Sequence, residues 1–302
     1  MELPPPARGE VRVRHTAIGV NFVDVYHRSG IYAVDLPAVL GVEAAAVVEG
    51  VGEGVELAVG TRVAYADAGR GAYADARNVA ADRLVTLPDE VTDATAAAVL
   101  LKGMTAEYLV RRTYEVRAGD SVLVLAAAGG VGTIIGQWLK ALGARAIGVV
   151  GSEEKAALAR QHGYSDVLIG HADLAAKVRE LTGGRGVPVV YDSVGKDTLH
   201  ASLDCLAPRG VLVSFGNASG KPDAVEPGTL AQKGSVYLTR PRLADYVRTR
   251  EELTLSAQSI FTLVQQGVVN VHVGQRFALT DVVQAHRALE ARSSTGSTLL
   301  FP

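Results

Sequence analysis

The sequence predicts an α/β fold in which a doubly wound parallel sheet accompanies a second, β-rich region. From about residue 121 onward, short apolar runs alternate with amphipathic helical segments. Repeated strand–helix pairs of this kind form parallel sheets with helices on both faces. Between residues 10 and 88, short runs of alternating polarity are punctuated by glycine, which is typical of antiparallel strands. A chain of 302 residues is long enough for both regions to form separate domains.

The elements of the β-rich region come from both ends of the chain. Strands are predicted over 11–15, 43–49, 61–66 and 78–87, followed by helices over 93–101 and 105–113. Near the other end, Thr249 and Glu252 form a capping-box pattern that opens a helix stopping at Gly267. A helix over 281–292 and a strand over 297–301 complete the chain. We therefore predict a discontinuous β-rich domain of residues 1–100 and 243–302, and a parallel-sheet domain of residues 101–242.

A glycine-rich turn joins the first strand of the parallel sheet to its helix. Its glycines, Gly129, Gly130 and Gly132, let the backbone approach a pyrophosphate, whose charge the N–H groups and dipole of a helix start stabilise. Ala127 stands where the dinucleotide fingerprint has its first glycine. The turn indicates a dinucleotide site, although by itself it also fits any strand-to-helix connection.

The end of the next strand, over 144–150, indicates which dinucleotide binds. Enzymes that use NAD place Asp or Glu there to accept a hydrogen bond from the ribose 2′-hydroxyl. This chain has Gly151 and Ser152, with Lys155 within a turn. Because a carboxylate is missing and a cation and a hydroxyl are present, the pattern favours the 2′-phosphate of NADPH. The alternative is that Ser152 only caps the following helix and Lys155 is a solvated surface residue.

Composition excludes several classes of protein. A formal net charge of −2 provides no global basic field for nucleic acid or anionic membrane. The single cysteine, Cys205, excludes an intrachain disulfide and a Cys-rich zinc site. No run of about 18 apolar residues occurs and the N-terminus has no apolar signal region. We predict a cytoplasmic protein without a membrane segment.

Motifs along almost the whole chain resemble those of one family, and they lie at residues 21–26, 28–30, 41–44, 102–105, 126–132, 190–195, 214–217, 238–241 and 294–302. They resemble the zinc-free quinone oxidoreductase (zeta-crystallin-like) branch of the medium-chain dehydrogenases/reductases. Zinc-dependent relatives have a Gly-His-Glu segment that supplies a metal ligand, and Val42 holds the histidine position here. No metal site is predicted.

The resemblance implies both an architecture and a chemistry. It implies a Rossmann-type NADPH-binding domain with a GroES-like catalytic domain, quinone reduction in the cleft between them, and a homodimer through the edge of the cofactor-domain sheet. Relatives carry a further strand pair before the segment that opens this chain, which leaves open whether the β-rich domain lacks its first strands. They also typically place an aromatic residue near the adenosine phosphate, where this chain has His171.

The resemblance also implies which residues form the site. Asn21 and Tyr26 are the predicted catalytic residues at the nicotinamide and quinone end. The predicted cofactor contacts are Asn21, Tyr26, Tyr108, Ala128, Gly129, Gly130, Val131, Gly151, Ser152, Lys155, Phe215, Gly216, Asn217, Arg240 and Arg292. Tyr26 equally fits a packing role, Phe215 equally fits a core position, and the two arginines equally fit surface ion pairs.

Three functions remain in view at this point. The first is NADPH-dependent reduction of a quinone. The second is NADPH-dependent reduction of an enone or enal, which needs a donor for an enolate oxygen in the same site. The third is a non-catalytic NADPH-binding protein with RNA affinity through a local arginine patch at Arg240, Arg242, Arg248 and Arg250. The slightly negative net charge favours an enzyme with a small-molecule substrate and no nucleic-acid partner.

Overall fold

The computed structural model describes residues 3–291 and 294–302. Within it the chain divides into two compact units. The first comprises the described residues up to Met104 together with Leu243–Pro302, and the second comprises Thr105–Arg242. Arg292, one of the predicted cofactor residues, lies outside the described residues. Strands β1–β13 and helices α1–α10 are numbered along the chain.

The first unit is built on a largely antiparallel sheet. Its strands are β1 (Glu10–Val20), β2 (Glu43–Val51), β3 (Arg62–Ala66), β4 (Ala76–Ala80), β5 (Val85–Thr86), β12 (Val273–Ala278) and β13 (Ser297–Phe301). The order is β12-β13-β1-β2-β3-β5, and β4 pairs with the first half of β1. Every pairing is antiparallel except that of β12 with β13. The β-rich, GroES-like domain predicted from sequence is therefore confirmed.

Alternation along β1 explains how this sheet forms its core. Val11 and Val13 are fully buried while their neighbours are partly exposed. Val13 pairs with Val48 of β2, and both lie in one hydrophobic cluster with Tyr65 of β3. Burying each such side chain contributes about 1.5–3 kcal/mol. The same alternation places His15 inside this unit, with 3% of its surface exposed.

The helices of the first unit correct the sequence prediction in two respects. They are α1 (Phe22–Arg28), α2 (Asp93–Tyr108), which continues from Thr105 into the second unit, α8 (Leu243–Tyr246), α9 (Arg250–Gln265) and α10 (Val282–Glu290). Neither α1 nor α8 was predicted, and α2 is one helix where two were predicted. Helix α2 continues through Gly103, and a Cβ at that position would lie 2.3 Å from Ile260 Cγ1 on α9. The glycine permits close helix packing.

A third correction concerns the strand predicted over 78–87. Two strands, β4 and β5, occupy this stretch, separated by a 3-10 turn at Ala81–Arg83. Beyond Tyr108 the chain continues in a π-helical turn, Leu109–Thr113, where a helix over 105–113 was expected.

The second unit is a doubly wound parallel sheet. Its strands are β6 (Ser121–Leu125), β7 (Arg145–Val150), β8 (Asp166–Ile169), β9 (Val187–Asp192), β10 (Leu206–Ser214) and β11 (Tyr237–Thr239). The helices between them are α3 (Gly130–Ala141), α4 (Glu153–Gln161), α5 (Leu174–Leu181), α6 (Leu199–Asp204) and α7 (Pro227–Gln232). The order β11-β10-β9-β6-β7-β8, with every pairing parallel, confirms the Rossmann-type prediction.

The order of the strands in this sheet indicates where a ligand is expected to bind. Chain order runs outward from β6 through β7 to β8 on one side, and through β9 to β11 on the other. The reversal lies between β6 and β9. In open parallel sheets, ligands bind at the carboxyl ends of the strands beside such a reversal. The edge strand β11, which the sequence analysis missed, is only 3 residues long.

Candidate functional site

The turn after β6 ends in a helix start whose amides precede the helical ladder. Gly129 caps α3, and Thr133 N–H donates to Gly129 O at 2.9 Å. Within residues 3–291 and 294–302, no hydrogen bond is found for the amides of Gly130, Val131 and Gly132. Three N–H groups and the positive end of a 12-residue helix therefore meet at one point, which is an arrangement that binds anions.

Small residues are required for this geometry. A Cβ at Gly132 would lie 2.4 Å from Ala126 O and 2.7 Å from Ala127 O, so only glycine allows the helix to start so close to the turn. The left-handed residue is Ala126, with φ of 52°. Ala127, at the position of the fingerprint's first glycine, is fully buried, and Ala128 is 3% exposed. The small residues of this turn and the amides at the start of α3 together fit a diphosphate group.

In the segment after β7, Ser152 has the helix-capping role that was one of its two interpretations. Ser152 caps α4, and its Oγ accepts a hydrogen bond from Lys155 N at 3.3 Å. A Cβ at Gly151 would meet no atom within 4 Å. Lys155 is half-buried. The segment thus supplies a cation, a hydroxyl and open space with no carboxylate at the strand tip, which fits a ribose 2′-phosphate.

The loop after β10 is held by its neighbours. Phe215 N donates to Asp192 O at 2.8 Å, and a Cβ at Gly216 would lie 2.4 Å from Ser193 O. Arg240 Nη1 donates to Ser214 O at 2.8 Å and to Gly216 O at 3.0 Å. Arg240, predicted as a cofactor contact, therefore uses at least one nitrogen to hold this loop. Asn217, also in the loop, is 9% exposed.

Asp192 organises the turn between β9 and α6, and sequence analysis gave it no role. Its Oδ1 accepts hydrogen bonds from the N–H groups of Val194 and Gly195 at 2.8 and 3.1 Å. Its Oδ2 accepts from the hydroxyls of Thr198 and Ser202, both at 2.8 Å. The sequence signal that could have predicted this role is the position of Asp192 at the end of an otherwise apolar strand. A carboxylate that is fully buried needs hydrogen-bond partners.

Most predicted cofactor residues of the second unit share one position in the fold. They follow the carboxyl ends of parallel strands: residues 128–131 after β6, residues 151–155 after β7, residues 215–217 after β10 and Arg240 after β11. Tyr108 differs, because it is the last residue of α2 and is 3% exposed. The shared edge offers amides, glycines and cations, which fits an anionic dinucleotide.

In the first unit, Asn21 lies between two buried carboxylates. It caps α1, and its main-chain N–H donates to Asp24 Oδ2 at 2.9 Å. Its side-chain Nδ2 donates to Glu43 Oε2 at 2.8 Å and to Gly19 O at 3.4 Å. Asn21 is 6% exposed, and Asp24 and Glu43 are fully buried. The local conformation of Asn21 is therefore fixed by charge.

Glu43 is paired with a cation inside the same unit. Lys102 Nζ lies 3.1 Å from Glu43 Oε2, and the N–H of Leu101 donates to Glu43 Oε1 at 2.6 Å. Both charged side chains are at most 7% exposed. A Cβ at Gly19 would lie 2.3 Å from Glu43 Oε2, so a glycine in β1 leaves room for the carboxylate. Buried charges of this kind are tolerated only when paired and hydrogen-bonded.

Asp24 ends a chain of hydrogen bonds that begins at Arg28. Arginine only donates, so Arg28 Nη1 donates to His286 Nδ1 at 3.1 Å, and His286 Nε2 then donates to the Tyr73 hydroxyl at 3.0 Å. Tyr73 in turn donates to Asp24 Oδ2 at 3.0 Å. Burial raises the pKa of Asp24 to about 7, against the lowering effect of the hydrogen bonds from Asn21 and Tyr73.

Tyr26 is surrounded by aromatic rings. It is 6% exposed, its ring lies 6.1 Å from that of Phe22, and its ring meets that of Tyr32 edge-on at 5.3 Å. This contact set fits a packing role. The proton-donor role of Tyr26 stays a prediction.

The buried charges that position Asn21 were not predicted from the sequence. Glu43 stands in the apolar run 42–48, and Lys102 stands in the largely apolar helix α2. A charged residue in a buried element requires a partner, and that was the only signal. Because 59 positions separate Glu43 from Lys102, no local sequence pattern identifies Lys102 as the ion-pair partner of Glu43.

Comparison with known proteins identifies the family. A family model described as an alcohol dehydrogenase GroES-like domain matches residues 7–118, and one described as a zinc-binding dehydrogenase matches residues 130–252. A quinone oxidoreductase of Pseudomonas aeruginosa is 53% identical over 98% of this chain and 92% of its own length. The chain belongs to the quinone oxidoreductases of the medium-chain dehydrogenase/reductase family.

Two further relatives are named for the cofactor that they bind or the substrate that they reduce. The crystal structure of Escherichia coli quinone oxidoreductase complexed with NADPH superimposes with a TM-score of 0.98 at 48% identity, covering 100% of this chain and 94% of that one. A 2-haloacrylate reductase of Burkholderia is 45% identical over 98% of this chain and 92% of its own length. The family resemblance seen in the sequence is thereby confirmed.

The described residues contain neither a metal-binding cluster nor a membrane-spanning helix. Among them, no three or more His, Cys, Asp or Glu side chains are grouped so that they could hold a metal ion. Nor does any helix within residues 3–291 and 294–302 combine the length and apolarity needed to cross a membrane.

Proposed function

We propose that this chain is an NADPH-dependent quinone reductase. The observation that carries the proposal is its likeness, at 48% identity over the full chain, to the quinone oxidoreductase whose structure contains NADPH. The turns after β6 and β7 support it independently, because they offer helix-start amides for a diphosphate and Lys155 for a 2′-phosphate. NADPH, when bound, supplies the hydride that reduces the quinone.

The chain's own residues have binding and positioning roles in this proposal. The amides of Gly130, Val131 and Gly132 bind the diphosphate, and Ser152 and Lys155 bind the 2′-phosphate. The loop 215–217, held by Arg240 and Asp192, supports the nicotinamide end. Holding a hydride donor in a fixed geometry can supply much of the rate enhancement.

Asn21 and Tyr26 are the proposed residues at the reacting end. Asn21 orients a polar group of the cofactor or substrate. The Tyr26 hydroxyl is the candidate proton donor to the reduced quinone, and its ring offers an apolar surface for a flat substrate. No paired acid and base are needed, because the quinone is already a strong electron acceptor.

We also propose that the protein is a cytoplasmic homodimer joined through β11. This strand is the edge of the parallel sheet, and its Tyr237 is 62% exposed. An edge strand presents unpaired main-chain groups that a second copy can complete.

A second candidate function is reduction of an electron-poor alkene. The 45% identity to a 2-haloacrylate reductase favours it, and it corresponds to the enone or enal alternative of the sequence analysis. It would need a hydrogen-bond donor at the carbonyl or carboxylate oxygen of the substrate.

Steady-state kinetics distinguish these functions. NADPH oxidation is followed at 340 nm with 1,4-benzoquinone, with methyl vinyl ketone and with 2-chloroacrylate. We expect kcat/KM for the quinone to exceed that for either alkene by at least about tenfold. A higher value for an alkene would replace the proposal with the second candidate. Tight NADPH binding without turnover of any of the three would identify a non-catalytic NADPH-binding protein.

A further inference from the structure

The orientation of the Asn21 amide follows from the chemistry of its neighbours. The Nδ2 and Oδ1 atoms of an asparagine are assigned from hydrogen-bond partners. Glu43 Oε2 lies 2.8 Å from one end of the amide and also accepts from Lys102 at 3.1 Å. An ionised carboxylate only accepts hydrogen bonds, so the amide end that faces it must be the donating NH2 group.

Both hydrogens of that NH2 group have acceptors within the first unit. One points to Glu43 Oε2 and the second to Gly19 O. The main-chain N–H of Asn21 is bound to Asp24. The side-chain oxygen Oδ1 faces the main-chain N–H of Asp24 in the capping box of α1. An amide oxygen has two lone pairs, so the only hydrogen bond that the Asn21 side chain can still make to a ligand is one that Oδ1 accepts.

We propose that Glu43, with Lys102 as its counter-charge, is a positioning residue that turns the Asn21 amide so that the site presents only a hydrogen-bond acceptor at this point. The inference rests on the proposed function, because it assigns Asn21 to the reacting end. The ligand group that Asn21 receives is then an N–H or O–H donor, such as a carboxamide NH2 or a hydroquinone hydroxyl. Asn21 does not polarise a quinone carbonyl.

The first unit is built to keep this arrangement. Glu43 is held by a lysine on α2, by the N–H of Leu101 and by the space that Gly19 leaves. Asp24, on the other side of Asn21, receives the hydrogen bond of Tyr73. Rotating the amide by 180° would place its carbonyl oxygen 2.8 Å from a carboxylate oxygen, a contact between two acceptors.

Exchanging the amide and the carboxylate tests the proposal. Asn21→Asp alone sets two carboxylates side by side, whereas the double variant Asn21→Asp with Glu43→Gln restores one of each. In the double variant, the carbonyl oxygen of the new glutamine can still accept from Leu101 N, and its NH2 group can donate to the new carboxylate. Lys102 turns to the same carboxylate. Residue 21 is then an aspartate with a carboxylate oxygen that can accept a hydrogen bond from a ligand and no side-chain hydrogen to donate.

Two measurements are made on each variant: the Tm of the protein without added nucleotide, and kcat/KM with NADPH and 1,4-benzoquinone. We expect Asn21→Asp to lower Tm by at least ~3 °C and kcat/KM by at least ~100-fold. The exchange variant should recover at least half of the lost Tm and at least ~10-fold in kcat/KM.

The matched control is Arg62→Met. Arg62 pairs with Asp93 at the start of α2, the same helix that carries Lys102. Its Nη2 atom lies 2.7 Å from Asp93 Oδ1. Its loss should lower Tm by ~1–2 °C and change kcat/KM by less than ~2-fold. A loss of activity comparable to that of Asn21→Asp would show that any weakening of α2 impairs catalysis and would overturn the positioning role.

The remaining outcomes are equally decisive. Recovery of Tm without recovery of kcat/KM would mean that Asn21 must donate a hydrogen bond, which contradicts the proposal. Failure of Tm to recover would show that residues 21 and 43 are not coupled. If the wild-type protein did not reduce quinones, the proposed function would fail, while the Tm comparison would still test the contact between Asn21 and Glu43.

Discussion

The two units build their polar sites from different materials. The second unit uses main-chain N–H groups, glycines and a helix start at the ends of parallel strands. The first unit uses charged side chains that are nearly or fully buried: Asp24, Glu43 and Lys102. A site made from backbone therefore depends on local sequence, whereas a site made from buried charge depends on partners that are distant in sequence.

This difference also sets what each site tolerates. A backbone site is sensitive to the addition of a single carbon where the chain makes a close turn. A buried-charge site is sensitive to protonation, because a charge without its partner in a low-dielectric interior is costly. Substitutions that add volume should therefore injure the second unit most, and changes in pH should act most strongly on the first.

The largest effect is expected at Gly132. Gly132→Ala would bring a Cβ to 2.4 Å from Ala126 O, so the turn and the start of α3 must separate. We expect the dissociation constant for NADPH to rise at least ~100-fold, about 3 kcal/mol. Isothermal titration calorimetry measures this directly.

Gly228→Ala is the matched control for Gly132→Ala. It lies in α7 of the same unit, and a Cβ there meets no atom within 4 Å. Its NADPH affinity should remain within twofold of wild type, roughly the precision of the comparison. Unchanged affinity in Gly132→Ala would show that the turn does not hold the cofactor.

A smaller effect is expected from His15 of the first unit. Burial lowers the pKa of His15 from 6.5 to about 4, and the hydrogen bond to Ala74 only partly opposes this. The folded protein therefore binds the proton less readily than the unfolded chain between these values. The free energy of unfolding should fall as pH drops from 6.5 toward 4.

His15→Gln should remove this part of the pH dependence. Relative to wild type, the variant should gain on the order of 2–3 kcal/mol of stability as pH falls from 6.5 to 4. Urea unfolding at several pH values measures the difference. His200→Gln, at an exposed position of the second unit, is the control. Parallel pH profiles for His15→Gln and wild type would contradict the assigned burial effect.

Sequence patterns were sufficient for the second unit because its rules are local. A strand, a glycine turn and a helix within 30 residues predicted the site at Gly129–Gly132, and repeated pairs predicted the parallel sheet. The elements that were not predicted there are the three-residue edge strand β11 and the short helix α7. Neither changes the residue pattern enough to be visible in the sequence.

Sequence patterns were less informative for the first unit for the same physical reason. Asn21 was named through family resemblance, yet the residues that fix its amide were not. Tyr73 and His286 are 213 positions apart, and no local pattern connects them. Two helices were predicted where α2 is continuous, and the packing partner of Gly103 between them, Ile260, lies on a helix distant in sequence. Long-range contacts decided each of these points.

We propose that the second unit binds NADPH through Lys155, in the first turn of the helix α4 that follows β7. The most direct test compares the NADPH and NADH dissociation constants of wild type, Lys155→Ala and Lys140→Ala, an exposed lysine of the same unit. We expect wild type and Lys140→Ala to prefer NADPH by at least ~10-fold, and Lys155→Ala to lose most of that preference, about 1.4 kcal/mol. Equal affinity of wild type for the two nucleotides, or an unchanged preference in Lys155→Ala, would contradict the claim.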